Sequence, residues 1–151
     1  MDLQEHLEKM RKNREELLQS FEGLNEKQLT GEPAEGVWPI KAMLDHIAAW
    51  DKEVLVAAEE IASGKRPSMM EIEDFDACNA RFVEERKQRS FQQTLEELTS
   101  ARQAFIQGLK RLPSEVWQNE TLQYLVKVIW EHDAAHCATI ISWRKGLGDL
   151  R

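Results

Sequence analysis

Apolar residues along this chain recur every three or four positions, the period of a helix with one buried face, and no stretch shows strand-like alternation. In the first segment Leu3, Leu7, Met10, Leu17, Phe21 and Leu24 share a stripe that Arg14 interrupts. Residues 25–37 collect Gly31, Pro33 and Gly36 and are expected to form a loop. Pro39 opens a second helix at a position where a missing N–H costs nothing. That helix carries Ile40, Met43, Ile47, Trp50, Val54 and Ile61, and Ser63-Gly64 stops it.

A shorter helix is expected from about Glu71 to Lys87, with Ile72, Phe75, Asn79 and Phe82 along one side. Ser90 has the chemistry of an N-cap for the next segment, where Phe91, Leu95, Leu98, Phe105, Leu109 and Leu112 share a face. Gly108 inside that segment marks a close packing contact. The last helix is expected from about Glu120 to Lys145, closed by Gly146. Four long amphipathic helices and one short one predict an all-α bundle that forms a single domain over residues 1–151.

Charge narrows the partners. With 20 Lys and Arg against 27 Asp and Glu, the formal net charge is −7, which offers nucleic-acid phosphates no broad cationic face. The N-terminal residues lack the cationic start and apolar core of a signal peptide, and no apolar run approaches membrane-spanning length. The two cysteines, Cys78 and Cys137, lack metal-ligand spacing and read as small buried thiols. A cytoplasmic protein without nucleic-acid or membrane partners is the expectation.

The candidate chemistry lies in the histidines. His132 and His136 stand four apart, so a helix projects both from one face. They continue the stripe of Leu122, Leu125, Ile129, Ile140 and Trp143, which should face the bundle interior. His46 occupies a comparable face of the second helix, between Met43 and Trp50. If those helices adjoin, three imidazoles converge on a site for a divalent metal such as zinc, nickel or iron. The competing reading is a set of buried histidines bonded to other groups, without metal.

Other metal chemistries fit less well. His132-Asp133-Ala-Ala-His136 comes close to the H-E-x-x-H of zinc proteases, but its acid is one methylene shorter and no edge strand is predicted to hold a peptide. A two-histidine, one-carboxylate iron site would need Asp45, Asp51, Glu131 or Asp133 pointing inward, and Glu131 and Asp133 should point away from the histidine pair. His6 reads as a surface residue. Asp133 and Asn79 are the candidates for orienting a nucleophile or substrate. Trp38, Trp50 and Trp130 are candidates for a pocket lining, against the commoner role of tryptophan in a core.

These residues also carry a family resemblance. The run from Gly36 through Trp38, Lys41 and His46 to Trp50 resembles the opening of helix two in the DinB-like superfamily. Trp130-Glu-His132-Asp-Ala-Ala-His136, with Trp143 beyond, resembles its fourth helix. The segment from Asp76 through Asn79 to Arg86, with Arg89-Ser-Phe beyond, is similar to the ClbS/DfsB branch. The resemblance implies a four-helix bundle with long crossover connections, often dimeric, whose divalent metal is held by His46, His132 and His136. It further implies metal-dependent hydrolysis or thiol transfer on small electrophiles, with a low-molecular-weight thiol as possible co-substrate. A module that sequesters a small molecule, or a helical homodimer with a structural metal, is the alternative.

Overall fold

The computed structural model describes residues 1–149, and the side chain of Asp149 is outside that description. Six α-helices are formed: α1 (Leu3–Ser20), α2 (Glu26–Thr30), α3 (Ile40–Ala62), α4 (Phe75–Arg86), α5 (Phe91–Arg111) and α6 (Glu120–Asp149). Short 3-10 turns at Ser68–Glu71 and Ser114–Gln118 sit in the connections. Among the described residues the only β pairing is an isolated bridge between Glu35 and Trp38.

Local chemistry sets the boundaries. Asp2, Asn25, Asp74 and Ser90 each accept a backbone N–H from the first turn of the helix that follows, and Asn25 and Ser90 complete capping boxes with Gln28 and Gln93. Gly64, at φ +79°, adopts the left-handed turn that ends α3, its N–H donating to Ile61 O at 3.0 Å.

The long helices α1, α3, α5 and α6 form the bundle, with α3 packed most extensively on α5 and α1 on α6. Contacts give the directions. Asn13 meets Trp130 and Ser20 meets Arg144, so α1 and α6 run parallel. Asp45 meets Thr94 and Asp51 meets Arg102, so α3 and α5 run parallel too. His46 meets His136 while Val54 shares a cluster with Leu125, so α3 opposes α6. The result is an up-down-down-up bundle, and the parallel α3–α5 step requires a crossover the length of the bundle. Residues 63–90 supply it, with α4 laid against α3. Lys41 fixes α4 there, its ammonium donating to Asp45 at 2.8 Å and to the Arg86 carbonyl at 2.9 Å.

Two apolar clusters fill the interior. One gathers Leu17, Phe21, Ile40, Met43, Leu44, Ile47, Leu98 and Ile140. The other gathers Met10, Val54, Phe105, Leu109, Leu122 and Ile129. In every long helix the residues between the clusters include a buried or nearly buried polar group: Arg14, Asp51, Arg102, and the run His132-Asp133 through His136. The bundle therefore carries a polar layer at mid-height.

The structure amends the sequence expectations in three places. Residues 25–37 are not wholly a loop, because the Asn25–Gln28 capping box nucleates α2. The short helix begins at Phe75, behind its Asp74 cap, rather than at Glu71. Gly146 does not close α6, which continues to Asp149; among the described residues only Gly23, Gly36 and Gly64 take the positive φ that such a stop uses. Gly108 does mark a close approach: a Cβ there would collide with Leu55 Cδ1 on α3.

Candidate metal centre

His46 on α3 and His132 and His136 on α6 bring their Nε2 atoms together. The separations are 3.1 Å for His46–His132, 3.0 Å for His46–His136 and 2.9 Å for His132–His136. His46 and His136 are buried and His132 is half-buried. Helix periodicity places the α6 pair on one face, and the antiparallel packing of α3 sets His46 opposite them.

Protons cannot satisfy this triangle. Each Nε2 of a neutral imidazole is either a donor or an acceptor. Around three mutually close atoms, at least one contact must therefore pair two donors or two lone pairs. A cation receiving all three lone pairs removes the conflict. Nitrogens at these separations match metal–nitrogen bonds of about 2.1 Å meeting at roughly right angles. The three histidines can hold a metal ion.

Electrostatics favour the neutral, ligating form. Burial and the neighbouring imidazoles push His46 and His132 down to about 3. Burial also lowers His136, against the opposing pull of the Glu35 and Asp133 carboxylates. Nδ1 of His46 lies 3.4 Å from the Ala42 carbonyl, an acceptor, which assigns the ring proton to Nδ1 and frees the Nε2 lone pair. On His136 the corresponding Nδ1 has Glu35 Oε2 at 3.2 Å, within ion-pair range but without hydrogen-bond alignment. Glu35 is brought there by a tight turn in which Gly36, at φ +59°, takes a left-handed conformation and Trp38 N donates to Glu35 O at 2.9 Å.

A pocket of about 200 Å³ reaches the cluster through His132. Trp50, Val54, Phe75, Leu125 and Ile129 supply much of its apolar wall, and Asn79 stands at the same wall. Trp50 Nε1 donates to Asn79 Oδ1 at 2.6 Å. Trp38 packs on His46 with ring centroids 4.9 Å apart, and so backs the cluster rather than lining this pocket.

Two sequence candidates lie elsewhere. Asp133 is fully buried and faces away from the imidazoles, one residue of helical rotation carrying it towards α1 and α5. Its carboxylate accepts from Arg14 Nε at 3.0 Å and from Arg102 Nη1 at 3.2 Å. It is not placed to orient a substrate. Trp130 likewise turns from the pocket, its indole N–H donating to His6 Nδ1 at 3.0 Å. His6 is correspondingly no surface residue: it is buried, its pKa lowered by burial and by the N-terminal ammonium, with Trp117 edge-on at 5.3 Å. Cys137 is buried, and burial raises its thiol above the ordinary value; Cys78 is half-buried.

Sequence reasoning did not include Glu35 or Arg102 among the functional groups. Arg14 left a visible signal, as a cation interrupting an apolar stripe. Glu35 left none, because only the loop conformation carries it to His136.

An up-down-down-up helical bundle with three imidazoles converging between its third and sixth helices defines a class of candidate metal-binding proteins. The sequence model of the DinB superfamily matches residues 9–140, and the chain belongs to that superfamily. No curated protein and no solved structure matches it. No helix among the described residues is long and apolar enough to cross a membrane.

Proposed function

We propose that the protein holds a divalent metal through His46, His132 and His136 and uses it to add water or a low-molecular-weight thiol to small electrophiles, a ClbS/DfsB-type detoxification. The single observation that carries this reading is the Nε2 triangle at 2.9–3.1 Å, which ring protons cannot satisfy. When bound, the metal supplies Lewis acidity that makes a water or thiol nucleophilic at neutral pH. The chain's own groups do the rest. Neutral His46 and His132 present lone pairs, Glu35 supports His136, and the apolar pocket holds the electrophile beside them. In the reaction the nucleophile's O–C or S–C bond forms as the carbon's bond to a ring or leaving oxygen breaks. The nucleophile's proton ends on that oxygen.

Metal content of untagged protein, purified without added metal and compared with His136→Ala, tests the site. Near-stoichiometric metal that the variant loses, with loss of turnover of a small epoxide such as styrene oxide with water or thiol, is the expected result. No metal after reconstitution would remove the centre, and turnover by metal-free protein would remove the mechanism. The apolar wall of the pocket favours a second reading, sequestration without chemistry. Ligand binding that survives His136→Ala, with no turnover by wild type, would select it.

A further inference from the structure

The pocket beside His132 has a definite chemical preference. Its lining includes no Asp, Glu, Lys or Arg among the described residues, and its two clearly polar side groups are Asn79 and His132. An ion entering such a wall loses hydration without gaining a counter-charge from it, which is strongly disfavoured. The orientation of Asn79 is settled by its neighbour. An indole N–H only donates, so the Trp50 Nε1 contact at 2.6 Å must fall on the amide oxygen. The amide NH2 then carries two donors, and among the described residues no hydrogen bond engages them. Trp50 is itself held between Phe75 and Phe82, at ring-centroid distances of 5.7 and 5.2 Å, so this orientation is braced by packing.

From this geometry we infer that the pocket receives the uncharged, apolar part of a small molecule bearing an acceptor oxygen, a carbonyl, ester or epoxide, with Asn79 Nδ2 as its donor. A volume of about 200 Å³ fits a group of one-ring size, since cavities of roughly 150 Å³ accept benzene. This deepens the proposed function by naming the substrate class, and it rests on that reading only for the chemistry. The binding preference belongs to the pocket wall and stands without metal.

The test is a binding cycle with unreactive probes: acetophenone, α-methylstyrene (the same shape without the oxygen) and benzoate. Binding is read by calorimetry and by the Trp50 indole NMR signal, assigned with Trp50→Phe. In wild type and in His136→Ala, acetophenone is expected to shift the Trp50 signal and to bind at least ~10-fold more tightly than benzoate in the latter, where a metal cannot recruit the carboxylate. Asn79→Leu is expected to weaken acetophenone ~5-fold relative to α-methylstyrene. Asn79→Asp, which keeps an acceptor for Trp50 but removes the donor, should weaken acetophenone as well. Failure of acetophenone to bind, an unchanged probe ratio in both Asn79 variants, or benzoate binding as well as acetophenone in His136→Ala would overturn the inference. Metal content is measured separately, so loss of the metal reading leaves these outcomes legible.

Discussion

At the scale of single residues, the candidate metal centre is supported by groups that do not touch the point where the three Nε2 atoms converge. A ligating imidazole is oriented and made more basic by what its other nitrogen meets. For His46 that is the Ala42 carbonyl of its own helix, and for His136 it is Glu35. Replacing the carboxylate by a neutral amide keeps the size of the side chain and removes the charge. Glu35→Gln is expected to weaken metal binding by about 10- to 100-fold while leaving thermal stability of the metal-free protein nearly unchanged. Competition with a chromophoric chelator measures the first quantity and calorimetry the second. Unaltered metal affinity would show that Glu35 merely lies beside His136.

At the scale of elements, α4 is the piece that completes the pocket, and ionic contacts help anchor it. Glu97 on α5 accepts from Arg86 on α4 at 2.7 Å and from Lys52 on α3 at 2.6 Å, with Arg89 at 2.9 Å. Burial would raise the Glu97 carboxyl, but the bonds from Arg86, Lys52 and Arg89 outweigh it and hold the group down to about 2. A carboxylate whose folded pKa is depressed stabilises the fold fully above its unfolded pKa, and that contribution is lost as pH falls towards the folded value. For Glu97 the window runs from about pH 4.5 down to about 2, and because solvent screens the exposed Lys52 and Arg89 the contribution at neutral pH is on the order of 1–2 kcal/mol. Glu97→Gln is therefore expected to lower stability at pH 7 by an amount of that order and to flatten its acid dependence. Urea titrations at pH 7 and pH 3 measure both; an equal loss at the two pH values would contradict the assignment.

What was legible in the sequence at this scale follows from range. The long helices, the Ser90 cap and the His132–His136 pair are local patterns, set by the helical period and by residues a few positions apart. The position of His46 beside that pair needed the packing of α3 on α6, for which the apolar stripes were a sufficient guide. His6 was misread although it lies between Leu3 and Met10 on the stripe of α1, where the period alone argued for burial. Asn79 was legible as a polar group on an apolar line, but its free donors depend on Trp50 and appear only in three dimensions. The ion pairs of Asp133 were not legible, because its partners arrive from α1 and α5 and no local pattern ties those residues together.

Those partners set the problem at the scale of the whole molecule. Arg14 from α1, Asp51 from α3, Arg102 from α5 and Asp133 from α6 meet in the polar layer, one charge from each long helix and no net charge. Arg102 bridges both acids, with Asp51 at 2.9 Å and Asp133 at 3.2 Å. Burial opposes the charge on Arg102, but the two carboxylates outweigh it and raise its pKa. Such a cluster contributes little net stability compared with apolar packing, yet removing one member strands a buried charge at about 3–5 kcal/mol. What it supplies is register: only one axial alignment of the four helices brings the charges together, and Asp133 follows His132 by one residue and precedes His136 by three, the two candidate ligands of α6. Arg102→Leu and Asp133→Leu alone are each expected to destabilise by about 3–5 kcal/mol. The double variant leaves Arg14 and Asp51 as a balanced pair at 3.4 Å, so its loss should fall well short of the sum. Denaturant titration measures the cycle, and metal affinity of the double variant measures the register. A folded double variant with weakened metal binding is the expected outcome, because the apolar clusters on either side preserve the bundle while the alignment of His46 with His132 and His136 loosens. Additive losses would mean the charges act independently, and undiminished metal binding would mean that packing alone sets the register.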